Sequence, residues 1–539
     1  MFKVGTQFKH EYRGKLMQRV TISFIRFSFF GMAFSLALAL FPPIAVGRVA
    51  LATESSPVEE WLEKQANYSI RQIRAQIGAD IRVPVEAKPQ RVVPLPVPGA
   101  VIAAPSLDPD YRYHWVRDAA LVMNTWVSFD WMVKSADQQA LAFRLLSEYV
   151  DFSRKNQTTA NWSGASDDRG VGEPKFHLDG SAYNEPWGRP QNDGPALRAL
   201  TLIRWAWLLI ERGQENWVRQ KLFDSRLPSQ SVVKIDLEFI SHHWKELSFD
   251  LWEETYGGHF YTRLAQRRAL LEGAFLAERL NDPQAARWYR SAAEGLSREL
   301  ERHWDSRAEM IRASLDVTGV GHRVQETKPS GLDTAVILAV IQTGNHWGAR
   351  VTDSEFGECD PRVLITAEKI SNSFRSLYLI NRTVRDSKDR EIAPAIGRYP
   401  EDRYAGTTGL EGGNPWFLTT HAMSELYYRC STQLDRRKAE IWTSASIPLL
   451  GKLQIFKGIE VRELNATTLR KMALALREAG DAFLRRSQLY SSPQGGAMAE
   501  QFNRDTGKMQ SAEELTWSHA SILTVYWARN ASHPSQTSE

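Results

Sequence analysis

The sequence predicts a large all-α protein, and three features of the 539-residue chain predict it. From Tyr111 to the C-terminus, stretches with helical spacing of apolar residues alternate with loops. Neither half of the chain is rich in strand patterns, and the sequence shows no clear repeat of solenoid length. Twelve helices can close into two concentric rings, an α/α barrel, although periodicity alone does not select this arrangement.

The composition is that of a globular protein, with 43% hydrophobic and 24% charged residues. The length allows one large domain or three ordinary ones. A formal net charge of +4 is small for this size, and the sequence carries no aromatic and basic stripe suited to nucleic acid. We therefore expect no nucleic-acid partner. The 18 tryptophans could fill a core or stack on the apolar faces of sugars.

The first residues of the chain, 1–52, differ from the rest. Basic residues are spread from Lys3 to Arg26, an uncharged run extends from Phe27 to Gly47, and Ala50 to Ala52 give an A-x-A pattern. This order predicts a cleaved secretory signal peptide. The long basic stretch leaves a retained membrane anchor as the alternative. In both cases residues 53–539 would work outside the cytoplasm, in a secreted or periplasmic protein.

The segment that follows, residues 53–110, leads into the main domain. Residues 53–79 have helical periodicity, whereas residues 82–110 carry seven prolines and fit extended chain. We assign residues 111–539 to a single helical domain.

The helices predicted in that domain share apolar residues spaced three and four apart. They cover residues 117–132, 137–154, 194–212, 232–246, 260–280, 283–303, 332–343, 361–380, 416–430, 433–449, 466–486 and 514–529. Three long loops, 156–193, 388–415 and 491–511, are rich in Gly, Pro and Asn. Long ordered loops in a compact domain are usually functional.

Acidic and aromatic residues gather just before one of these helices. Asp250, Trp252, Glu253 and Glu254 precede a Gly-Gly turn, and helical spacing begins at Phe260. Segments between helices can aim side chains that packed helices cannot. Taken alone, however, this pattern more often means that the two adjacent glutamates are solvated and complement the dipole of the following helix.

Four other segments are polar and aromatic in the same way, and together the five resemble a known family. They are Asp110–Leu121, Ala182–Ala199, Asp250–Glu254, Gly397–Leu418 and Gly496–Ala520. The motifs WGRPQ-x-DGPALR, DLWEE, GRYPED…GNPWFL and AEQ…LTWSHA resemble glucoamylases, the family 15 glycoside hydrolases, in order and spacing.

This resemblance implies an (α/α)6 barrel with an active site in a funnel of loops at one end. It implies hydrolysis of α-1,4-linked glucosyl units from non-reducing ends of starch, dextrins or malto-oligosaccharides, with release of β-D-glucose by inversion. Glu253 matches the general acid and Glu500 the general base of the family. Inverting hydrolysis needs such a pair, because one group protonates the leaving oxygen while the other activates water on the opposite face of the sugar.

The resemblance also implies substrate-binding roles for nine further residues. They are Tyr111, Arg117, Asp118, Trp187, Glu254, Arg398, Asp402, Trp416 and Trp517. Arg117, Asp118 and Arg398 would hold the hydroxyls of the terminal glucose, with a structural ion pair as the alternative for Arg117 and Asp118. Tyr111 would lie beside the developing cation, and Trp187 would order the acid. Each tryptophan could instead fill the core.

The sequence departs from the family pattern at the expected outer subsites. Asn192 stands where a basic residue is common, and the stretch between Asp402 and Asn414 is rich in glycine. The preferred chain length therefore stays open. The chain ends shortly after Trp517 and leaves no room for a starch-binding module, so we expect soluble dextrins to be better substrates than granules.

Three other functions compete with this one. The same fold could cleave α-1,6-glucan or trehalose, or bind carbohydrate without catalysis. An unrelated α/α-barrel terpene cyclase would need an Asp-rich Mg²⁺ motif, which the sequence lacks. The sequence shows no metal-ligand motif, so we expect no cofactor and no metal in the site. A structural Ca²⁺ stays open, because backbone carbonyls that bind it leave no trace in a sequence. We also expect a monomer. Cys359 and Cys430 could pair in an oxidising compartment but need not.

Overall fold

The computed structural model describes residues 57–81, 94–166, 168–318, 328–344, 349–352, 355–406, 412–437, 441–491 and 495–532. The predicted signal or anchor segment, 1–52, lies outside these ranges. The helices within them are α1 Pro57–Ala75, α2 Val116–Met132, α3 Ala136–Thr158, α4 Asp193–Glu211, α5 Glu215–Lys221, α6 Val232–His243, α7 Phe260–Arg279, α8 Pro283–Glu301, α9 Ala335–Thr343, α10 Pro361–Leu377, α11 Phe417–Arg437, α12 Ile447–Leu450, α13 Ala466–Tyr490 and α14 Thr516–Ala531. Of the helices in this part of the chain, none combines the length and apolar character that crossing a membrane requires.

Twelve of these helices form two concentric rings. Helices α2, α4, α7, α9, α11 and α14 pack in that order, and α14 closes the inner ring against α2. Each has an outer partner: α3 on α2, α6 on α4, α8 on α7, α10 on α9, α13 on α11 and α1 on α14. The fold is therefore the expected (α/α)6 barrel.

How much of each helix is buried depends on whether it lies in the inner or the outer ring. The inner helix α4 is buried on nearly all sides, from Asp193 to Leu209, because it packs against the outer ring, its two neighbours and the barrel axis. The outer helix α8 buries one stripe, which includes Ala286, Tyr289, Leu296 and Leu300. Such a stripe with polar residues opposite is what an amphipathic surface helix shows.

One predicted helix boundary is wrong. The sequence suggested separate helices at 416–430 and 433–449, but α11 runs unbroken from Phe417 to Arg437. Ser431 and Thr432 fit inside it because their hydroxyls donate to the carbonyl oxygens of Ala473 and Tyr428. Farther on, Pro448 lies in the first turn of the four-residue helix α12, a position that proline tolerates because its missing N–H would have no partner there.

The described strands are two to four residues long and serve to fix loops. They are β1 His114–Trp115, β2 Lys175–Phe176, β3 Ser248–Phe249, β4 Tyr256–His259, β5 Trp304–Asp305, β6 Met310–Ile311, β7 Ser314–Leu315, β8 Gln501–Phe502 and β9 Met509–Gln510. Strand β1 pairs antiparallel with β2, β4 lies between β3 and β7, β5 pairs with β6, and β8 pairs with β9. These pairs help to hold the loops that carry the candidate site.

Two further contacts tie distant parts of the chain together. Cys359 and Cys430 form a disulfide between the start of α10 and the middle of α11, which settles the pairing that the sequence left open. In the extended lead-in, the Ala103 amide donates to the Tyr113 carbonyl, and the Ala103 carbonyl accepts from the Thr516 amide. The lead-in thereby joins the Tyr111 segment to the start of α14.

Candidate active site

A closed turn holds the two adjacent glutamates. The Asp250 amide donates to the Thr255 carbonyl, and the Asp250 carboxylate accepts from the amides of Glu254 and Thr255. Glu253 has a φ of 68°, in the left-handed region that a non-glycine residue adopts only when its surroundings enforce it. Gly188 supplies part of that constraint, because a Cβ there would lie 2.7 Å from the Glu253 carbonyl oxygen.

Buried charges fix this turn to the start of α9. Lys328 Nζ lies 2.9 Å from Asp250 Oδ2 and 2.6 Å from Asp333 Oδ2. The second oxygen of Asp333 accepts from the indole of Trp252 at 2.9 Å. Despite burial, which opposes the charged form, the Lys328 ammonium lowers the pKa of Asp250 to about 2. The turn is therefore held by two carboxylates that share one buried ammonium.

The carboxylate of Glu253 is held by one of its two oxygens. Oε1 accepts from the Trp115 indole at 2.7 Å and from the Gln191 amide at 3.0 Å, and lies 3.8 Å from Arg117 Nη2. Among the described residues Oε2 has no hydrogen-bond partner. The side chain keeps 17% of its surface exposed, so this oxygen can meet a ligand.

Glu254 differs from its neighbour, since both of its oxygens are engaged. Oε1 lies 2.8 Å from Arg398 Nη2, and Oε2 accepts from the Tyr399 hydroxyl at 2.7 Å. Burial raises the pKa of Glu254, and the Arg398 charge opposes that rise. A carboxylate bound on both oxygens is suited to holding charge, not to donating a proton.

Arg398 lies at the centre of a charged and aromatic cluster. Its Nε donates to Asp402 Oδ2 at 2.8 Å and its Nη2 to Asp402 Oδ1 at 2.5 Å. Its guanidinium carbon lies 5.1 to 5.6 Å from the ring centroids of Trp252, Tyr404 and Trp416. Two carboxylates hold the guanidinium in place, so its remaining surface is pre-organised for a polar ligand.

Arg117 and Asp118 lie in the first turn of α2, and each has a polar atom without a hydrogen-bond partner among the described residues. Arg117 Nη1 donates to Gln191 Oε1 at 2.8 Å and lies 3.2 Å from Asp193 Oδ2. Arg117 Nε and Asp118 Oδ2 are 3.3 Å apart but poorly aligned, and neither has a hydrogen-bond partner in the described part of the chain. Burial raises the pKa of Asp118 to about 6 against the effect of Arg117. Buried atoms without partners mark a place for a ligand that can satisfy them.

Glu500, the predicted base, comes just before β8. It is 2% exposed. Its Oε2 accepts from the Ser511 hydroxyl at 2.5 Å and from Gln501 Nε2 at 3.1 Å. Tyr111 and Tyr404, whose hydroxyls are 2.8 Å apart, also hydrogen-bond to this carboxyl. Burial raises the pKa of Glu500 to about 7, although these hydrogen bonds and the Arg398 charge oppose the rise.

The structure joins all eleven predicted site residues into one network of contacts. Trp115 links its two sides, because its ring lies 5.6 Å from Tyr111 and 6.0 Å from Trp187 while its indole binds Glu253. The other two tryptophans also join this network. Trp517 lies 5.9 Å from the Arg117 guanidinium, and Trp416 lies 5.6 Å from the Trp252 ring.

Sequence reasoning missed several residues of this network. They are Trp115, Lys175, Gln191, Tyr399, Tyr404 and Ser511. Most of them stand inside the motifs already singled out. Lys175 does not. It is 2% exposed, pairs across β1 and β2 with Trp115, and places its ammonium 3.6 to 4.3 Å from the ring centroids of Trp187, Tyr183, Tyr113 and Trp115.

No candidate metal centre is found among the residues that the structure describes, as judged by groups of three or more His, Cys, Asp or Glu. The site instead combines carboxylates, two arginines and aromatic rings. A closed double ring of helices thus gathers these groups on loops, in a site suited to binding a polar ligand with apolar faces.

Comparisons with known proteins give the family. The family model described as glycosyl hydrolases family 15 matches residues 88–527. A glucoamylase of Blastobotrys adeninivorans is 37% identical over 444 residues, which are 81% of this chain and 68% of that protein. The chain belongs to glycosyl hydrolase family 15.

Two solved structures resemble the fold closely. The glucoamylase of Hormoconis resinae aligns with a TM-score of 0.73 at 30% identity, over 89% of this chain and 75% of that one. The glucoamylase of Saccharomycopsis fibuligera aligns with a TM-score of 0.74 at 29% identity, over 88% and 96%.

Proposed function

We propose that this protein is a glucan 1,4-α-glucosidase that releases β-D-glucose from the non-reducing ends of α-1,4-glucans by inversion. The observation that carries the proposal is the pairing of Glu253 and Glu500 in one aromatic network. Each carboxyl is held from one side by indole, amide or hydroxyl donors. Family membership and the glucoamylase names of the relatives support the substrate class.

Glu253 acts as the general acid in this proposal. Its Oε2 donates a proton to the glycosidic oxygen, the bond from that oxygen to C1 breaks, and the shortened glucan leaves as an alcohol. Glu254 does not compete for this role, because Arg398 and Tyr399 occupy both of its oxygens. Glu254 and Arg398 instead hold hydroxyls of the substrate.

Glu500 acts as the general base. It removes a proton from a water molecule, whose oxygen bonds to C1 on the face opposite the leaving group, and the product is β-D-glucose. Solvent later returns a proton to Glu253 and accepts one from Glu500. The Tyr111 ring lies beside this carboxyl, where it can stabilise positive charge that develops on the sugar.

The terminal glucose binds at Arg117 and Asp118 in this proposal. The unpartnered Nε of Arg117 and Oδ2 of Asp118 are a donor and an acceptor that sugar hydroxyls can satisfy. Trp187, Asp402, Trp416 and Trp517 form the surrounding wall. The buried indole nitrogen of Trp416 has no acceptor among the described residues, so it offers a further donor to the substrate.

The experiment that tests this function follows products by NMR. The purified wild type and the Glu500→Gln variant are each incubated with maltoheptaose. We expect the wild type to release β-glucose one unit at a time and the variant to release none. Initial release of the α-anomer or internal cleavage would contradict the mechanism. Turnover of maltose, isomaltose and trehalose then measures linkage preference.

A second substrate separates the acid from the base. The fluoride of α-D-glucosyl fluoride leaves without protonation, so Glu253→Gln should recover most of its rate on that substrate while Glu500→Gln should not. With maltose, general acid–base groups typically contribute about 10²- to 10⁴-fold, and we expect losses of that order. Glu254→Gln is the matched neighbour and should mainly raise KM. If instead Glu254→Gln were rescued by the fluoride, the two glutamates would exchange roles.

We further propose that the protein is exported. The signal pattern of residues 1–52 and the Cys359–Cys430 disulfide support export, since disulfides persist in oxidising compartments. Mass spectrometry of the mature N-terminus tests cleavage after residue 52, and an intact N-terminus in a membrane fraction would favour the anchor.

A further inference from the structure

Trp162 is exposed at the protein surface but is rigidly presented. It and Trp288 are the two tryptophans that the described ranges leave exposed, and Trp162 keeps 61% of its surface accessible. The preceding Asn161 donates its amide to the carbonyls of Thr159 and Gly170, and the following Ser163 donates to the buried Glu173 carboxylate at 2.8 Å. The loop on both sides of the indole is thus fixed.

Arg189 connects this indole to the candidate active site. Its guanidinium carbon lies 5.6 Å from the Trp162 ring centroid. The same guanidinium bonds the Glu173 carboxylate and donates to the carbonyls of Tyr183 and Glu185. Trp162 therefore flanks the loop 183–189, which carries Trp187.

Aromatic rings continue from that loop towards the two carboxylates. Tyr183 and Trp187 lie 5.6 Å apart, and Trp187 lies 6.0 Å from Trp115, whose indole binds Glu253. Trp162 lies beside this row through its contact with Arg189, which bonds the backbone of Tyr183. Between Tyr183 and Trp187 the loop residues are exposed, so solvent reaches the row from outside.

We propose that Trp162 is an outer sugar-stacking surface that binds a glucosyl unit of an α-glucan chain beyond the units held at Trp187. This inference rests on the proposed function. A flat indole offers apolar area to the apolar face of a pyranose ring, and burying that area is favourable. Because the loop is already fixed, binding costs little ordering of the protein. Short substrates such as maltose do not reach this position.

The test compares the affinity of long and short substrates. Binding of maltoheptaose and maltose is measured by calorimetry in a Glu500→Gln background, which does not require turnover. Adding the Trp162→Ala substitution should weaken the affinity for maltoheptaose about three- to tenfold, the range expected for one aromatic contact. The affinity for maltose should not change. Trp162→Phe, which keeps a ring, should lie between.

Trp288 provides the matched control. It lies on the outer helix α8, its ring is 5.7 Å from His242, and it is 49% exposed. Trp288→Ala should leave both affinities unchanged. In the active enzyme, Trp162→Ala should raise KM for maltoheptaose and leave kcat/KM for maltose unaltered.

The outcomes separate this inference from the function on which it rests. Equal maltoheptaose affinity with and without Trp162 would overturn the inference, and so would an equal loss for maltose and maltoheptaose, which would mean that the Trp187 loop had moved. A wild type that binds maltoheptaose through Trp162 but releases no glucose would refute the proposed hydrolysis and keep the binding surface.

Discussion

Glu253 and Glu254 are neighbours in the chain, yet their carboxylates have opposite surroundings. The positive φ of Glu253 turns its side chain towards Trp115 and Gln191, whereas Glu254 points to Arg398 and Tyr399. One oxygen of Glu253 has no hydrogen-bond partner among the described residues, whereas Arg398 and Tyr399 engage both oxygens of Glu254. In the proposed mechanism, the strained backbone at Glu253 thus separates the general acid from the neighbouring carboxylate that binds substrate.

At this scale, the Ser511 hydroxyl should set the acidic limb of the pH–rate profile. Its hydrogen bond to Glu500 Oε2 lowers the pKa of that carboxyl against the effect of burial. A base must be ionised, so the rate should rise with pH through this pKa. Ser511→Ala should move the acidic limb upward by about one pH unit, the size expected for losing one hydrogen bond to a charged group.

The measurement is kcat/KM for maltose against pH. Ser521 is a suitable control, because its hydroxyl interacts with His421 and the Ser518 carbonyl, and Ser521→Ala should leave the limb unchanged. A Ser511→Ala profile that coincides with the wild type would show that another group sets the limb.

Lys175 should act on catalysis through Trp115. Its ammonium lies close to four rings, and such contacts hold aromatic side chains in place. Lys175→Met should free Trp115, weaken its bond to Glu253, and lower kcat for maltose by about tenfold, or about 1.4 kcal/mol of barrier. Hydrolysis of α-D-glucosyl fluoride, which needs no acid, should fall much less.

A buried lysine outside the site gives the comparison. Lys234 lies 2.7 Å from Asp282 and near the ring of Tyr289. Lys234→Met should lower the melting temperature and leave kcat unchanged. Equal losses on maltose and the fluoride in Lys175→Met would mean a general structural role.

Among the elements, the turn from Asp250 to Thr255 shows what sequence could and could not predict. Taken alone, the segment favoured solvated glutamates, and it was the resemblance to glucoamylases that predicted a site here and the roles of its two glutamates. Lys328, which holds the turn, lies 78 residues from Asp250 in the chain and stands in no motif, so only the fold reveals it. The wrong break in α11 has a related cause, since the acceptor for Ser431 comes from another helix.

Lys328→Met should therefore destabilise this element strongly. It would leave the buried carboxylates of Asp250 and Asp333 without their cation, and breaking a buried pair typically costs about 3–5 kcal/mol. The low pKa of Asp250 sets the pH dependence. Its stabilising contribution is present above the unfolded pKa near 3.8 and is lost as pH falls towards 2.

Thermal melts from pH 3 to pH 7 check this expectation, and the difference from wild type should shrink towards the acid end. Lys452, which forms an exposed pair with Glu309, is the control, because exposed pairs contribute about 1 kcal/mol or less. A pH-independent loss in Lys328→Met would point to packing of the lysine stem instead of charge.

At the scale of the whole molecule, closure of the barrel depends on contacts between the two ends of the described chain. Helix α14 packs against α2, and α1 packs against α14, so the inner and outer rings close at the same place. Helix periodicity predicted most of the helices but could not predict this closure, because each contact joins segments hundreds of residues apart. The closed barrel was predicted instead from the order of the motifs along the chain, through their resemblance to glucoamylases.

The closed barrel also lets the protein bury a carboxyl that destabilises it. The pKa of Glu500 is raised from 4.5 to about 7 by burial. Between these values the folded state holds a proton that the unfolded chain has lost, so stability falls as pH rises through this window and stays lower above it. Glu500→Gln removes the cost and should be more stable than wild type at pH 8, by about 3 kcal/mol at most.

Calorimetric unfolding of both proteins at pH 4 and pH 8 measures this difference. At pH 4 the carboxyl is protonated in both states and contributes no difference, so the gain should appear only at the higher pH. Glu460, whose side chain is 72% exposed, is the control, and Glu460→Gln should gain nothing at either pH. A gain of equal size at both pH values would mean that the amide packs better than the carboxyl. A gain confined to high pH would mean that this barrel gives up stability to keep a base beside the sugar.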